Sequence, residues 1–320
     1  MSFLQLLAGL AILVVAGDLL VRGAAGLAGR LGVPPLIIGL TIVAFGTSAP
    51  EMFISIQAAW TGLPGIALGN VIGSNIANVL LVLGLPAIIA ATSCGQPLVL
   101  RNTLFMIAAS VVFIAMCLTG TLERWHGVLL FAGIVGFLAL SLRRARKHRA
   151  RMATLGIEDV EGVWSLPVST VLVLAGLFGL PVGAHLTIES ASAIAESWGV
   201  SEAAIGLTVV ALGTSLPELA STVMAAIRRE AAIAVGNVIG SNLFNILAVM
   251  GVTAMVVPVP VPETMLRLDI WVMLGCALLI LPYILTRRDI GPASGVVFTA
   301  GYIAYIAVVF IWGAGITAVG

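Results

Sequence analysis

Long apolar stretches, separated by short polar segments, follow one another along the whole chain. A helix needs about 20 apolar residues to cross the hydrocarbon core of a bilayer. By this measure the pattern predicts ten spans, at residues 2–29, 33–60, 64–91, 98–119, 125–143, 165–196, 201–227, 231–257, 266–286 and 293–318. We therefore expect an all-α membrane protein with ten transmembrane helices.

Composition supports this prediction and excludes several functions. Hydrophobic residues make up 60% of the 320 positions and charged residues 9%, whereas soluble globular proteins carry about 25% charged residues. The connections between spans are too short for a soluble catalytic domain. An intramembrane hydrolase would need a metal-binding HExxH, a pair of membrane aspartates or a serine with a base, and the sequence offers none of these. We therefore do not expect an enzyme.

The basic residues are distributed unequally between the two sides of the predicted bundle. Thirteen of the fifteen Lys and Arg residues fall on one side, and only Arg124 and Arg267 fall on the other. By the positive-inside rule the richer side is cytoplasmic. This predicts an inner-membrane protein with both termini external and a cytoplasmic linker at 143–164. Its basic run, RRARKHRAR at 143–151, is interpreted as a juxtamembrane segment rather than as a nucleic-acid-binding one.

The two halves of the chain repeat each other at a constant offset of 167 residues. GLTIVAFGTSAPE (39–51) matches GLTVVALGTSLPE (206–218), and IALGNVIGSNIANVL (66–80) matches IAVGNVIGSNLFNIL (233–247). Each half holds five predicted spans, so the second copy must enter the membrane from the opposite side. We therefore expect two inverted five-helix repeats, at 1–142 and 165–320, an architecture typical of secondary transporters whose site lies between the copies.

Glu51 and Glu218 end the two GTSxPE signatures, within apolar stretches. A carboxylate in a membrane span costs about 2.5 to 3.5 kcal/mol even on the lenient insertion scale. The flanking apolar runs 31–100 and 199–227 contain no Lys or Arg that could compensate that charge. A bound cation is therefore the expected partner of these carboxylates. Asp18 and His185 are also repeat-related, but they differ in chemistry, so each is expected to be solvated or locally hydrogen-bonded near the end of a span.

Oxygen atoms surround both glutamates in the sequence. Pro50 and Pro217 cannot donate to the carbonyls four residues earlier, which leaves those of Gly46 and Gly213 free to bind a ligand. Residues four apart share one face of a helix. This spacing predicts that each glutamate lies beside a threonine, with a serine one step round, and that a second serine in each repeat lies beside an asparagine. These residues are Thr47, Ser48, Thr214, Ser215, Ser74 with Asn78, and Ser241 with Asn245.

The chemistry of these groups restricts the ion. None of the candidate ligands is a His or a Cys, so the set suits Ca²⁺, Mg²⁺ or alkali cations and argues against zinc or copper. No cofactor is expected. The glycine pairs Gly69 with Gly73 and Gly236 with Gly240 form small-residue faces that predict close helix packing around the site.

The paired GTSxPE and GNxxGSNxxN blocks resemble the alpha repeats of the sodium/calcium exchanger family, within the cation/calcium antiporter superfamily, in its prokaryotic form. The resemblance extends over the whole chain through the ten-span inverted arrangement. It implies exchange of Ca²⁺ for Na⁺ by alternating access, with these two ions and the lipid bilayer as partners. Nothing in the sequence indicates a nucleic acid or an obligate protein partner.

The resemblance also implies a ligand set. Glu51 and Glu218 would be shared by Ca²⁺ and Na⁺, and the remaining positions would supply neutral oxygens. These are the carbonyls of Thr47 and Thr214, the hydroxyls of Ser48 and Ser215, then Ser74, Ser241 and the carbonyls of Ala44 and Ala211 at outer Na⁺ positions, with Asn78 and Asn245 in the middle.

One position departs from part of the family. Close relatives often carry Asp where this sequence has Asn245, which changes the charge of the site. A Ca²⁺/H⁺ antiporter on the same scaffold therefore remains the alternative, in which Glu51 and Glu218 bind protons in place of Na⁺.

Overall fold

Helices form at the apolar stretches throughout the residues that the computed structural model describes, which are 2–95, 98–154, 164–198 and 211–317. In the first half they are α1 Ser2–Leu31, α2 Pro35–Ile38, α3 Ala44–Thr47, α4 Ala49–Trp60, α5 Pro64–Ala77, α6 Gly84–Ile89, α7 Val99–Cys117 and α8 Arg124–Thr154. In the second half they are α9 Leu166–Ser197, α10 Ala211–Thr214, α11 Leu216–Ile227, α12 Ala231–Leu243, α13 Met250–Val256, α14 Glu263–Arg267, α15 Asp269–Leu279, α16 Leu281–Leu285 and α17 Pro292–Thr317. Wider π-helical turns at Gly39–Val43, Asn78–Val82 and Phe244–Val249 connect α2 to α3, α5 towards α6, and α12 to α13.

Within the described ranges, seven helices are long and apolar enough to cross a membrane, and the bent pair formed by Pro35–Thr47 and Ala49–Trp60 makes up to eight. Two shorter apolar helical segments, Leu216–Ile227 and Asp269–Leu285, lie at predicted spans seven and nine. The predicted seventh span began at 201, and its first part lies outside the described residues. The multi-pass, all-α membrane character is therefore confirmed.

Short backbone pairings connect loops at the two ends of α7. Strand β1, Thr121–Leu122, pairs antiparallel with β2, Val259–Pro260, just beyond the C-terminal end of this helix. Before its N-terminal end, Thr92 and Ile290 form an isolated antiparallel bridge. Each pairing joins a segment of the first half to a segment of the second, so the halves are tied together outside the helices.

The helix of the fifth predicted span is longer than expected. It begins at Arg124 and continues through the basic run to Thr154, whereas the sequence pattern placed the start of a linker at 143. Arg, Lys, Ala and Met are good helix formers, so the loss of apolar residues ends the membrane-compatible part without ending the helix.

Helices α1 and α9 occupy equivalent positions in the two repeats and pack along their length through glycines. A Cβ on Gly9 would lie 2.6 Å from Thr187 Oγ1, near the end of α9, and one on Gly23 would lie 2.7 Å from the Val173 nitrogen, near its start. The two helices therefore run antiparallel.

The two helical segments with the GNVIGSN blocks, Pro64–Ile89 and Ala231–Val256, are the most deeply buried of the apolar helices in the described chain. A Cβ on Gly236 would lie 2.7 Å from the Leu36 carbonyl oxygen, and one on Gly240 would lie 2.8 Å from the Leu40 carbonyl oxygen. The close approach predicted for this glycine pair is confirmed. For the other pair, Gly69 and Gly73, the positions that correspond to Leu36 and Leu40 in the second repeat are 203 and 207, and these lie outside the described residues.

Asp18 lies in the middle of α1, which ends only at Leu31, and is held by ion pairs. Its Oδ2 accepts from Arg22 at 2.8 Å on the same helix, and its Oδ1 accepts from Arg228 at 2.7 Å beyond the end of α11. His185 is exposed and lies 3.8 Å from Glu189. The contacts of Asp18 with Arg22 and of His185 with Glu189 are local, as expected. The expected position near the end of a span is wrong, since both residues lie well inside their helices, and the pair with Arg228 is not local.

Candidate cation-binding site

Both GTSxPE signatures interrupt a helix at the same residue. In the first signature α3 ends at Thr47 and α4 begins at Ala49, with Ser48 between them at φ −86° and ψ 2°. The axes of the two helical segments differ by 42°. In the second signature Ser215 separates α10 from α11 with almost the same angles, φ −90° and ψ 4°. The prolines therefore lie in the first turn of a new helix, where their missing N–H group is not needed.

This break places each glutamate at a helix N-terminus. Glu51 lies in the first turn of α4 and Glu218 in the first turn of α11. Backbone N–H groups that lack helical partners give this end of a helix partial positive charge, which stabilises a carboxylate. Because Ser48 and Ser215 lie between two helical segments, the simple spacing of four residues from Thr47 to Glu51 does not describe one continuous face.

The two carboxylates are almost fully buried and carry no compensating charge. Glu51 is 1% exposed and Glu218 0% exposed, and their negative charges repel each other. None of their four oxygen atoms has a hydrogen-bond partner among the described residues. A buried carboxylate without a partner is strongly unfavourable, so this arrangement requires a cation or protons.

Further oxygen atoms at the predicted positions are buried and unused by the protein. Within the described ranges, the hydroxyls of Ser48 and Ser215, the Asn78 Oδ1 atom and both polar atoms of the Asn245 side chain have no hydrogen-bond partner. Ser74, Ser241 and Thr214 are buried as well. The serine hydroxyls do not cap the helices that follow them, so they remain available as ligands.

Thr47 connects the first signature to the second repeat. Its Oγ1 lies 3.4 Å from Ser241 Oγ and 3.4 Å from Asn237 Oδ1. The Thr47 and Ser48 side chains also lie near the Glu218 carboxylate, without forming a hydrogen bond to it. The structure thus brings Thr47 beside the glutamate and the GNVIGSN block of the opposite repeat, contacts that the spacing along one helix did not predict.

Asn78 and Asn245 lie at equivalent π-helical turns. The Leu83 N–H donates to the Asn78 carbonyl at 3.1 Å, five residues earlier, and the Met250 N–H donates in the same way to the Asn245 carbonyl. Such wide turns are rare and occur frequently at functional sites. The resemblance implied these two asparagines, and the structure adds the local backbone geometry that sets them apart from the rest of each helix.

The backbone ligands implied by the resemblance have different environments. The Ala44 carbonyl accepts from the Ser48 N–H at 3.0 Å and from Thr47 Oγ1 at 3.4 Å, so it already takes part in the structure of the break. Ala211 begins α10, directly after the residues that the structure does not describe.

A set of polar residues behind the glutamates was missed by the sequence analysis. Asn70 Nδ2 donates to Ser55 Oγ at 2.9 Å and to the Glu51 carbonyl at 3.1 Å. In the second repeat Asn237 Nδ2 donates to Ser221 Oγ at 3.0 Å and to Thr222 Oγ1 at 3.1 Å. These bonds fix each glutamate helix to the neighbouring GNVIGSN helix. The signal was present in the sequence, because Asn70 with Asn237 and Ser55 with Thr222 are related by the same offset of 167.

No group of three or more His, Cys, Asp or Glu side chains that could hold a metal ion occurs in the described part of the chain. The candidate site instead combines two carboxylates with neutral hydroxyl, amide and carbonyl oxygens. This donor set fits a hard cation such as Ca²⁺ or an alkali ion.

Comparison with known proteins agrees with this chemistry. The family model described as sodium/calcium exchanger protein matches residues 1–143 and 168–311. The inner membrane protein YrbG of Escherichia coli K12 is 34% identical over 95% of this chain and 95% of its own length. The sodium/calcium exchanger MaX1 of Methanosarcina acetivorans is 32% identical over 97% of this chain and 98% of its own.

A solved structure of the sodium-calcium exchanger NCX_Mj, soaked with Na⁺ and Ca²⁺, superposes on this protein with a TM-score of 0.83. The two sequences are 31% identical, and the superposition covers 96% of this chain and 97% of the other. The matched fold, the two family-model segments and the full-length relatives together show that this chain belongs to the sodium/calcium exchanger family.

Proposed function

We propose that this protein exchanges Ca²⁺ for Na⁺ across the membrane by alternating access. One observation carries the proposal: Glu51 and Glu218 are buried together without any partner for their oxygen atoms among the described residues. Two carboxylates supply a charge of −2. One Ca²⁺ balances this charge completely, and two or more Na⁺ ions together can balance it as well. An empty site would leave both charges uncompensated. The change between the conformations open to opposite sides of the membrane is therefore favoured only with ions bound.

The neutral oxygens divide between the two ion loads in this proposal. Ser48, Ser215 and the carbonyls of Thr47 and Thr214 complete the shell around the shared glutamates. Outer Na⁺ positions use Ser74, Ser241 and the carbonyls of Ala44 and Ala211, while Asn78 and Asn245 lie in the middle. The burial of every one of these side chains that the structure describes supports this assignment.

The architecture that we propose is ten spans in two inverted repeats, with the site between them. The antiparallel packing of the equivalent helices α1 and α9 supports the inversion. The helix breaks at Ser48 and Ser215 support it as well, because the same local structure recurs at the same repeat position. We further propose an inner-membrane location with external termini and a cytoplasmic basic segment around 143–164, on the basis of the unequal distribution of Lys and Arg.

A second candidate function rests on Asn245. A neutral amide at this position keeps the charge of the site at −2, so two protons on the glutamates would discharge it as well as Na⁺ would. Ca²⁺/H⁺ exchange on the same scaffold is therefore the alternative.

Measurement of ⁴⁵Ca²⁺ uptake into sealed proteoliposomes, with an outward Na⁺ gradient and with a pH gradient applied separately, tests the proposal. We expect uptake with the Na⁺ gradient and none with the pH gradient alone. Uptake that responds only to the pH gradient would show that H⁺, and not Na⁺, is the coupling ion. Absence of uptake under both gradients would refute antiport of Ca²⁺.

A further inference from the structure

Asn75 and Asn242 are a second pair of repeat-related asparagines, three residues before Asn78 and Asn245. Both are buried, and neither is among the candidate ligands. Asn75 Nδ2 lies 3.6 Å from Met273 Sδ, and Asn242 Nδ2 lies 3.6 Å from Met106 Sδ. The two methionines are themselves related by the offset of 167, so the surroundings of the two amides repeat across the halves.

The two amides differ in their contacts across the repeats. Asn75 Nδ2 also donates to the Asn242 carbonyl at 3.4 Å, and Asn242 carries a side-chain bond that Asn75 lacks. Asn78 Nδ2 donates to Asn242 Oδ1 at 3.1 Å. The equivalent bond in the other direction would run from Asn245 Nδ2 to Asn75 Oδ1, and it is not formed. Both of these atoms are buried and have no partner among the residues that the structure describes.

This difference determines which asparagine is held in a fixed orientation. Because the Asn78 amide nitrogen is bound, its Oδ1 atom is the one left buried and unpartnered. That oxygen is the group that a cation can use. The Asn245 side chain has no such bond, so nothing in the described structure fixes its amide oxygen towards the site.

An inverted repeat explains why nearly identical halves differ in this way. When such a transporter is open to one side its two repeats have different conformations, and opening to the other side exchanges them. A bond between the repeats whose symmetry-related counterpart is absent, such as the one from Asn78 to Asn242, therefore belongs to one of the two states. Breaking a buried hydrogen bond leaves two unsatisfied polar groups, so each bond favours its own state.

Resting on the Ca²⁺ antiport proposed above, we propose that Asn75 and Asn242 are positioning residues that orient the two amide ligands in alternation. Asn242 holds Asn78 in the state described by this structure, and Asn75 holds Asn245 in the state open to the opposite side. The exchange of these bonds couples the orientation of a ligand to the side from which ions enter.

The test uses the variants Asn75→Ala and Asn242→Ala, with the double variant, in proteoliposomes of one orientation. The half-saturating Ca²⁺ concentration is measured at each membrane face. The readout is the ratio of these two concentrations. Apparent affinity at a face follows the population of the state open to it. Loss of one neutral hydrogen bond should change the ratio about fivefold, in opposite directions for the two single variants, and the double variant should return to the parental ratio.

The ratio of the two half-saturating concentrations does not depend on the fraction of protein that is folded. The single variants Asn75→Ser and Asn242→Ser provide a second, smaller perturbation of the same bonds. Shifts of both single variants in the same direction, or an unchanged ratio in the Asn75 variants, would overturn the inference while the parent still transports Ca²⁺. Absence of Ca²⁺ uptake by the parent would instead refute the proposed function, and the inference with it.

Discussion

At the scale of single residues, the site separates charge from coordination. In the proposed site, Glu51 and Glu218 provide the charge, and the remaining candidate ligands provide neutral oxygens. Asn245 is central to this balance because it lies at the π-helical turn of the second repeat and is fully buried. An ionised side chain there would add a third negative charge, more than one Ca²⁺ can balance.

The variant Asn245→Asp tests this balance. A protonated aspartic acid resembles asparagine in size and is neutral, whereas an ionised one adds charge beside two carboxylates. We expect Ca²⁺ exchange of the variant to match the parent at low pH and to diverge from it as pH rises and the new group ionises. The measurement is Na⁺-dependent ⁴⁵Ca²⁺ flux over about two to three pH units around neutrality, a range wide enough to include the raised pKa of a buried carboxyl group.

The variant Asn245→Ser is the matched control, because it keeps a neutral oxygen and adds no titratable group. Its profile should follow the pH dependence of the parent. Superimposable profiles for Asn245→Asp and the parent would show that position 245 does not sense the charge of the site.

At the scale of helical elements, the approach of the two repeats depends on glycines in α12. A Cβ on Gly240 would lie 2.6 Å from Ala44 Cβ and 2.8 Å from the Leu40 carbonyl oxygen. Part of this contact is backbone, which cannot rotate away. Ala44 also supplies one of the proposed carbonyl ligands, so separation of these helices would disturb the site directly.

We therefore expect Gly240→Ala to lower the melting temperature in detergent, since overpacking costs about 1–3 kcal/mol, and to reduce Ca²⁺ uptake strongly. Gly136→Ala is the control, because a Cβ at that helical glycine would meet no atom within 4 Å. It should leave both properties nearly unchanged. Equal behaviour of the two variants would contradict the packing described here.

The helix positions and the two glutamates could be predicted from the sequence, because apolar length and the internal repeat are local signals. The break at Ser48 could not, since Pro50 is compatible both with a kinked helix and with the first turn of a new one. The contact of Thr47 with Ser241 joins residues 194 positions apart. Only tertiary packing brings such residues together, so spacing along one helix did not reveal it.

At the scale of the whole molecule, basic residues gather on one side of the predicted bundle, and some of them tie its helices together. Asp18 was predicted to be solvated or locally hydrogen-bonded, but it also binds Arg228, which is 210 residues away. The basic run after 143 continues α8 as a helix to Thr154. A continuous helix projects these charges beyond the apolar part of the span, where they can face water and the lipid headgroups.

Orientation can be tested with single cysteines at Arg146→Cys and Ser2→Cys. The background must lack the three native cysteines, which are free and buried: Cys94, Cys117 and Cys276. An impermeant maleimide applied to intact cells should label position 2 and not position 146, because the positive-inside rule predicts that the side richer in Lys and Arg is cytoplasmic. The opposite labelling pattern would reverse the proposed topology.

Glu51 and Glu218 are proposed to hold the transported ion jointly, and ⁴⁵Ca²⁺ uptake by the variants Glu51→Gln and Glu218→Gln in proteoliposomes tests this. Each variant leaves a charge of −1 that cannot balance a desolvated divalent cation. Loss of a buried charge partner costs about 3–5 kcal/mol, so uptake should fall to background in both. Glu189→Gln removes an exposed carboxylate and should transport like the parent. Near-normal uptake by either site variant would contradict the shared-ligand account.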